Sequence, residues 1–166
     1  MCCLFGLLDY WNIFTAKDKN TILSVLSTEC EVRGTDATGI AYNSNGRLSI
    51  YKRPQPAYRV LYNIPKGVKY VMGHTRMTTQ GSEKKNYNNH PFYGYIPSGR
   101  FALAHNGILH NDGRLRKTEA LPLTKIKTDS YVAVQMIEKQ GILDLGSLKN
   151  MAEKVEIGRA SCRERV

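Results

Sequence analysis

The chain has 166 residues, 42% of them hydrophobic and 23% charged. That is the make-up of one globular domain, and it excludes a mostly disordered chain, a collagen and a coiled coil. The formal charge of +10 permits nucleic-acid binding, but no basic run reaches five residues, so solvated basic faces are the expectation and no nucleic-acid partner is.

No apolar run approaches the roughly 20 residues of a membrane helix. The apolar stretches 4–8 and 10–14 are broken by Asp9, with no basic segment before them and no small-residue cleavage site. A secretory signal is therefore not expected. A cytoplasmic location without a membrane partner is. Four Cys without regular spacing suggest neither a disulfide framework nor a zinc site. The last ten residues, IGRASCRERV, have no periodicity and back-translate into a common DNA-sequencing adapter. Residues 157–166 are expected to be a non-native tail. Without its three Arg and one Glu, 21 basic and 13 acidic residues remain, a net +8.

Residues 1–8 are short and almost wholly apolar, and read as a buried strand. Residues 17–33 read as a helix, with Ile22, Val25, Leu26 and Cys30 at helical spacing and Gly34 placed to end it. Residues 39–42 and 48–51 flank Asn45-Gly46 and read as a hairpin. Pro54 and Pro56 interrupt the chain after the hairpin, and 69–74 reads as a strand. Residues 75–100 are polar, rich in Asn and Gly and aperiodic, the pattern of a long functional or disordered loop. Residues 101–105 read as a strand running into Asn106-Gly107. Residues 128–140 read as a helix capped by Thr128 or Asp129, striped by Val132, Met136 and Ile137, and ended by Gly141. Ser147 opens a last helix with Leu148, Met151 and Val155. No internal repeat is present. The order of elements predicts an α+β fold with antiparallel sheets.

Several residues could carry chemistry, each with a plainer reading beside it. Cys2 follows the initiator Met, whose removal would leave Cys2 with a free α-amine. That amine, of ordinary pKa about 7.7–8.0, can take the thiol proton and make a nucleophile without a His partner. Otherwise Cys2 is a small apolar strand residue. Arg76, between hydroxyls and Gly in Gly73-His74-Thr75-Arg76-Met77-Thr78-Thr79-Gln80-Gly81, suits capture of a carboxylate, or is a surface Arg on a turn. His74 is expected to be a packed residue, and His90, His105 and His110 make no metal spacing with it. Asn106-Gly107 is either a hairpin turn or a pair of oxyanion donors. Asp129 is either a helix cap or a carboxylate for a substrate ammonium. Together these parts could bind an α-amino acid and attack its side-chain carbonyl.

With those residues in place, the chain resembles the class II glutamine amidotransferases, a family of N-terminal-nucleophile hydrolases. The resemblance rests on ordered blocks: Met1-Cys2-Cys3-Leu4-Phe5-Gly6, Arg33-Gly34-Thr35-Asp36-Ala37-Thr38-Gly39-Ile40, the segment from Gly73 to Gly81, Asn89-His90-Pro91-Phe92, Ala104-His105-Asn106-Gly107-Ile108 and Thr128-Asp129-Ser130. It covers residues 2 to about 155. The blocks look closer to the glucosamine-6-phosphate synthase type than to the amidophosphoribosyltransferase type.

The resemblance implies a four-layer αββα sandwich of antiparallel sheets, and a glutaminase that releases ammonia to an acceptor through a thioester intermediate. It implies Cys2 as nucleophile, Asn106 and Gly107 as oxyanion hole, Arg76 with Thr79 on the L-glutamine carboxylate, Asp129 on its ammonium, and Arg33 organising the N-terminal pocket. It implies no metal and no organic cofactor, and an acceptor domain or acceptor protein outside this chain. Cys3 departs from the family's usual Gly, and Met77 and Gln80 stand where synthase relatives often carry Trp and His. Family domains run longer, so residues 1–156 are expected to be a truncated glutamine amidotransferase domain, incomplete at the C-terminus, with open sheet edges and low stability. Two rival readings are a non-catalytic glutamine-binding regulatory module, motivated by Cys3, and a basic nucleic-acid-binding protein, motivated by charge.

Overall fold

The computed structural model describes residues 2–157. The expected adapter tail lies, from residue 158 on, outside the described residues. Strand β1 (Cys3–Leu8) pairs antiparallel with β4 (Tyr70–Arg76), matching Cys3 to Thr75 and Leu8 to Tyr70. The four-stranded sheet runs β1-β4-β2-β3. β1 is therefore an edge strand. It is half-buried where full burial was expected, because alternate side chains face out, leaving Leu4 and Leu8 exposed.

Helix α1 (Ala16–Glu29) starts at a capping box in which Thr15 and Asp18 satisfy each other's backbone N–H. A 3-10 turn, Cys30–Arg33, extends it to Gly34. The buried face differs from the expected stripe. Lys19, Leu23 and Ser27 point inward and Val25 is exposed. The phase is set by Lys19, whose ammonium lies 2.9 Å from the buried carboxylate of Asp9 and donates to the Val68 carbonyl at 2.5 Å.

β2 (Ala37–Ser44) and β3 (Arg47–Arg53) form the expected hairpin. Asn45 and Gly46 have φ of 50° and 73°, as a two-residue I′ turn requires. The stretch 75–100 is not all loop. β5 (Phe92–Ile96) and β6 (Gly99–Leu103) pair as a second, two-stranded sheet. Its strand signal is the alternation of Phe92, Gly94 and Ile96 with Tyr93 and Tyr95. The Tyr93 hydroxyl accepts the Ile50 N–H at 3.0 Å and so ties β5 to β3. Residues 77–91 remain irregular apart from a 3-10 turn, Asn86–Asn88.

A short helix not expected from the sequence, α2 (Asp112–Thr118), precedes α3 (Tyr131–Gln140) and α4 (Leu145–Lys154). α3 buries six consecutive residues from Val132 to Ile137, because the second sheet covers one side and α2 and α4 the other. Gly141 ends it at φ 71°, as expected. The expected caps do not act as caps: Ser130 holds the N-cap position without a side-chain bond. Ser147 is the third residue of α4, inside a capping box with Asp144.

α1 covers one face of the large sheet through Leu23, Ile40, Val60, Ile64 and Val71. The β5–β6 region lies on the other face. A Cβ on Gly39 would sit 2.3 Å from the His90 carbonyl, so only Gly allows that approach. α3 closes the outer side of β5–β6 through Phe92, Phe101, Val134 and Ile137. The order is helix, sheet, sheet, helix, the layered arrangement the resemblance implied. None of the described helices is long and apolar enough to cross a membrane.

Candidate active site

Antiparallel pairing sets Cys2 beside the end of β4, since Cys3 is matched to Thr75 and Ala37 to Arg76. The half-buried Cys2 thiol points at the Met77 carbonyl, 3.6 Å away. Burial pushes this thiol up, the Arg76 guanidinium pulls it down, and the Asp129 carboxylate pushes it up again. Cys2, Arg76 and Asp129 therefore sit within electrostatic reach of one another.

Arg76 is not on the surface; it is 2% exposed. Its Nη1 donates to Asn89 Oδ1 at 2.6 Å, and its Nη2 to the carbonyls of Gln80 and Gly81 at 2.5 and 2.9 Å and to Thr128 Oγ1 at 3.3 Å. Residues 77–81 thus fold over the guanidinium. Among the described residues no carboxylate forms an ion pair with it. Burial works against its charge, and the more distant Asp36, Glu83 and Asp129 work for it. Asp129 is buried as well. Its Oδ2 accepts the Leu109 N–H at 2.5 Å, which binds the segment after β6 to the start of α3.

The protein thus assembles, at one end of the sandwich, a thiol, a cation without a carboxylate partner and a buried carboxylate. No family model matches the chain. Curated relatives do, among them three glutamine–fructose-6-phosphate aminotransferases. The glutamine–fructose-6-phosphate aminotransferase (isomerizing) of Chlamydia trachomatis is 32% identical over 146 residues, 84% of this chain and 22% of that enzyme. That of Halalkalibacterium halodurans is 32% identical over 137 residues, 81% of this chain and 22% of the enzyme. That of Symbiobacterium thermophilum is 40% identical over 89 residues, 52% and 14% respectively. Solved structures share the fold, two of them as follows. The allosteric regulatory enzyme of purine biosynthesis superposes with a TM-score of 0.73 at 21% identity, over 95% of this chain and 34% of that one. Glutamine phosphoribosylpyrophosphate amidotransferase from B. subtilis superposes with 0.71 at 22%, over 95% and 33%. The chain belongs to the class II glutamine amidotransferases. It spans about a fifth of the length of the curated relatives it matches most fully.

In this amidotransferase domain Asn106-Gly107 is a bend after β6 and not a hairpin turn. Neither residue has the positive φ that a tight turn of that type needs. Asn106 is exposed and Gly107 half-buried. A Cβ on Gly107 would lie 2.7 Å from the His105 ring, so Gly there lets the imidazole pack beneath the bend. Thr79 is exposed on the turn after β4. Its neighbour Thr78 is more closely held: the Thr78 N–H donates to Asp36 Oδ2 at 2.7 Å, and its buried hydroxyl has no hydrogen-bond partner. Arg33 is half-buried at the end of the 3-10 turn, just before Gly34, whose backbone abuts Arg76.

The domain also uses residues to which the sequence assigned no part in the site. Asn89 and Thr128 orient Arg76, and Thr128 Oγ1 donates in turn to the Asn88 carbonyl at 2.7 Å. Both occur in the blocks that carry the resemblance, which was their only signal of a place near the site. Asp36 clamps the start of the loop from two sides, because its N–H also donates to the Arg76 carbonyl at 2.9 Å. His74 stacks on His90 with centroids 4.3 Å apart. His74 Nε2 meets the His105 carbonyl at 3.2 Å, and the His105 N–H donates to His90 Nδ1 at 3.3 Å. Burial lowers His74 to about 4, His90 well below its ordinary value, and His105 in the same direction. All three are neutral near pH 7, and they join the two sheets beneath the site. Among the described residues no cluster of three or more His, Cys, Asp or Glu could hold a metal ion.

Proposed function

We propose that this domain hydrolyses the side-chain amide of L-glutamine and releases ammonia for an acceptor, with Cys2 as nucleophile. The carrying observation is Arg76: a buried guanidinium with hydrogen bonds only to neutral oxygens, beside the Cys2 thiol. A buried cation without an anion is costly, and a substrate carboxylate supplies the missing charge through charge-assisted bonds. Asp129, buried with one oxygen taken by Leu109, offers the other to the substrate ammonium. Thr78 or Thr79 adds a hydroxyl, and Arg33 shapes the pocket.

With Met1 removed, the Cys2 α-amine takes the thiol proton and the thiolate attacks the carboxamide carbon. The oxyanion is received by Asn106 and the Gly107 N–H, donors of a kind worth roughly 3–4 kcal/mol. The ammonium of Cys2 returns its proton to the departing nitrogen, so ammonia leaves and a γ-glutamyl thioester remains. Water then cleaves the thioester to glutamate and frees the thiol. The curated relatives are named for fructose-6-phosphate as acceptor; the acceptor domain or protein for this chain lies outside it, and the location is cytoplasmic. In purified protein lacking Met1, Cys2→Ala abolishes glutamate release and Cys3→Ala keeps most of it. Equal loss in both would remove the assignment.

A glutamine-binding module without turnover is the second reading, favoured by the upward push of burial on the Cys2 thiol. It predicts that glutamine raises the unfolding midpoint while no ammonia appears.

A further inference from the structure

Cys3 and Cys30 lie outside the chemistry just described, yet their sulfurs are only 2.9 Å apart. We propose that this pair is a redox modification site, a dithiol that low-molecular-weight disulfides such as oxidised glutathione convert to an intramolecular disulfide one residue from the nucleophile.

Both thiols are free and half-exposed, so a small oxidant can reach them. Both are anchored through one fully buried residue: Cys3 is matched to Thr75 across the ladder, and Thr75 Oγ1 donates to the Cys30 carbonyl at 3.1 Å. The first residue of β1 and the cap of α1 are thus already in register. Closing 2.9 Å to the roughly 2.05 Å of a disulfide needs a side-chain adjustment and no new fold. Cys2 does not compete, because neighbouring strand residues face opposite sides and its sulfur is turned to the Met77 carbonyl.

Burial and the neighbouring Cys3 push Cys30 up to about 12, and because the thiolate is the attacking form, exchange takes one attacking and one resolving thiol from the pair. The Cys3 thiolate attacks one sulfur of oxidised glutathione and one glutathione thiolate leaves. The Cys30 sulfur, its proton passing to solvent, then attacks Cys3 Sγ and expels the second glutathione thiolate. Two protein thiols are oxidised, one glutathione disulfide is reduced to two thiols, and the two protons end on glutathione.

The test treats the full chain with oxidised glutathione, blocks remaining thiols by alkylation and maps the peptides by mass spectrometry. The expected product is a Cys3–Cys30 linked peptide, lighter by two hydrogens, reversed by dithiothreitol. It persists in Cys2→Ala and disappears in Cys3→Ser and in Cys30→Ser. Full alkylation of Cys3 and Cys30, stable glutathione adducts on each without a bridge, or a bridge from either to Cys2 or Cys162 would overturn the proposal. The map of the unsubstituted chain decides the matter even if a variant folds poorly, and it does not depend on glutamine turnover.

Discussion

Two buried cations sit in this domain, and they are treated in opposite ways. Lys19, completely buried under α1, is neutralised by Asp9 at 2.9 Å and further held by Asn12 Oδ1 and the Val68 carbonyl. Arg76, equally buried at the end of β4, is held, among the described residues, only by amide, carbonyl and hydroxyl oxygens. The first is complete within the protein. Its partners fix the phase of α1 and the turn after β1, where the Ile13 and Phe14 N–H groups also donate to Asp9. The second has its geometry fixed but its charge unmatched. Burying an ion is tolerable when it is paired, so under the proposed function the unmatched one is where the substrate's charge belongs.

Breaking the Arg76 end should have the largest effect. Arg76→Lys removes the planar fork that meets Asn89, Thr128 and the loop carbonyls together, and should cut glutamate release by on the order of 100-fold, the scale of a misplaced substrate. The sharper control is the substrate. 4-Aminobutanamide, glutamine without its carboxylate, should not be turned over by the unsubstituted protein. Equal turnover of both amides would mean that Arg76 is structural, like Lys19.

Breaking the Lys19 end should cost stability and leave chemistry alone. Lys19→Met strands a buried carboxylate and should lower the urea midpoint clearly, whereas Lys19→Met with Asp9→Leu should recover most of the loss, because a packed apolar pair can replace a buried ion pair. Glutamate release per folded molecule should be unchanged in both. A double variant as unstable as the single one would show that the hydrogen bonds to Ile13 and Phe14, and not the charge pair, hold the turn.

A separate effect, on stability and not on turnover, concerns pH. His74 is lowered to about 4 from 6.5 and His90 and His105 move the same way. As pH falls from 6.5 toward 4 the unfolded chain takes up protons that the folded chain refuses, so stability is full above about 6.5 and declines through this window, by on the order of 3 kcal/mol for His74. Asp9 adds a further loss at lower pH. Burial works against its charge, but Lys19 and the two N–H groups outweigh burial and hold the carboxyl below its ordinary value. Its contribution is present above the ordinary carboxylate range and disappears as pH falls through the depressed one. Urea midpoints at pH 7, 5.5 and 4.5 test this, and His74→Asn should flatten the upper part of the profile. A profile as steep in the variant would assign the decline to other groups.

Much of the fold was legible because the signals are local. Asn45-Gly46 demanded positive φ at both residues, and Gly141 a left-handed cap; both readings depend on backbone sterics within a few residues. The ordered blocks from Cys2 to Ser130 likewise carried the family and the candidate residues. The same local grammar misread Asn106-Gly107 as a possible hairpin turn and Thr128 or Asp129 as a cap. Those side chains and that bend answer to partners far along the chain: Leu109 for Asp129, and Arg76 and Asn88 for Thr128.

By itself, then, the sequence determined the Asn45-Gly46 hairpin, the longer helices and most strands, and which chemistry-bearing residues exist. Tertiary structure alone decided that Val25 is exposed while Lys19 is buried, that Arg76 meets no carboxylate among the described residues, and that Cys3 meets Cys30. The physical reason is range. Dihedral preferences act between neighbours, whereas the sulfur–sulfur contact and the hold on Arg76 reach across 27 and 52 residues that only the packed sheets bring together.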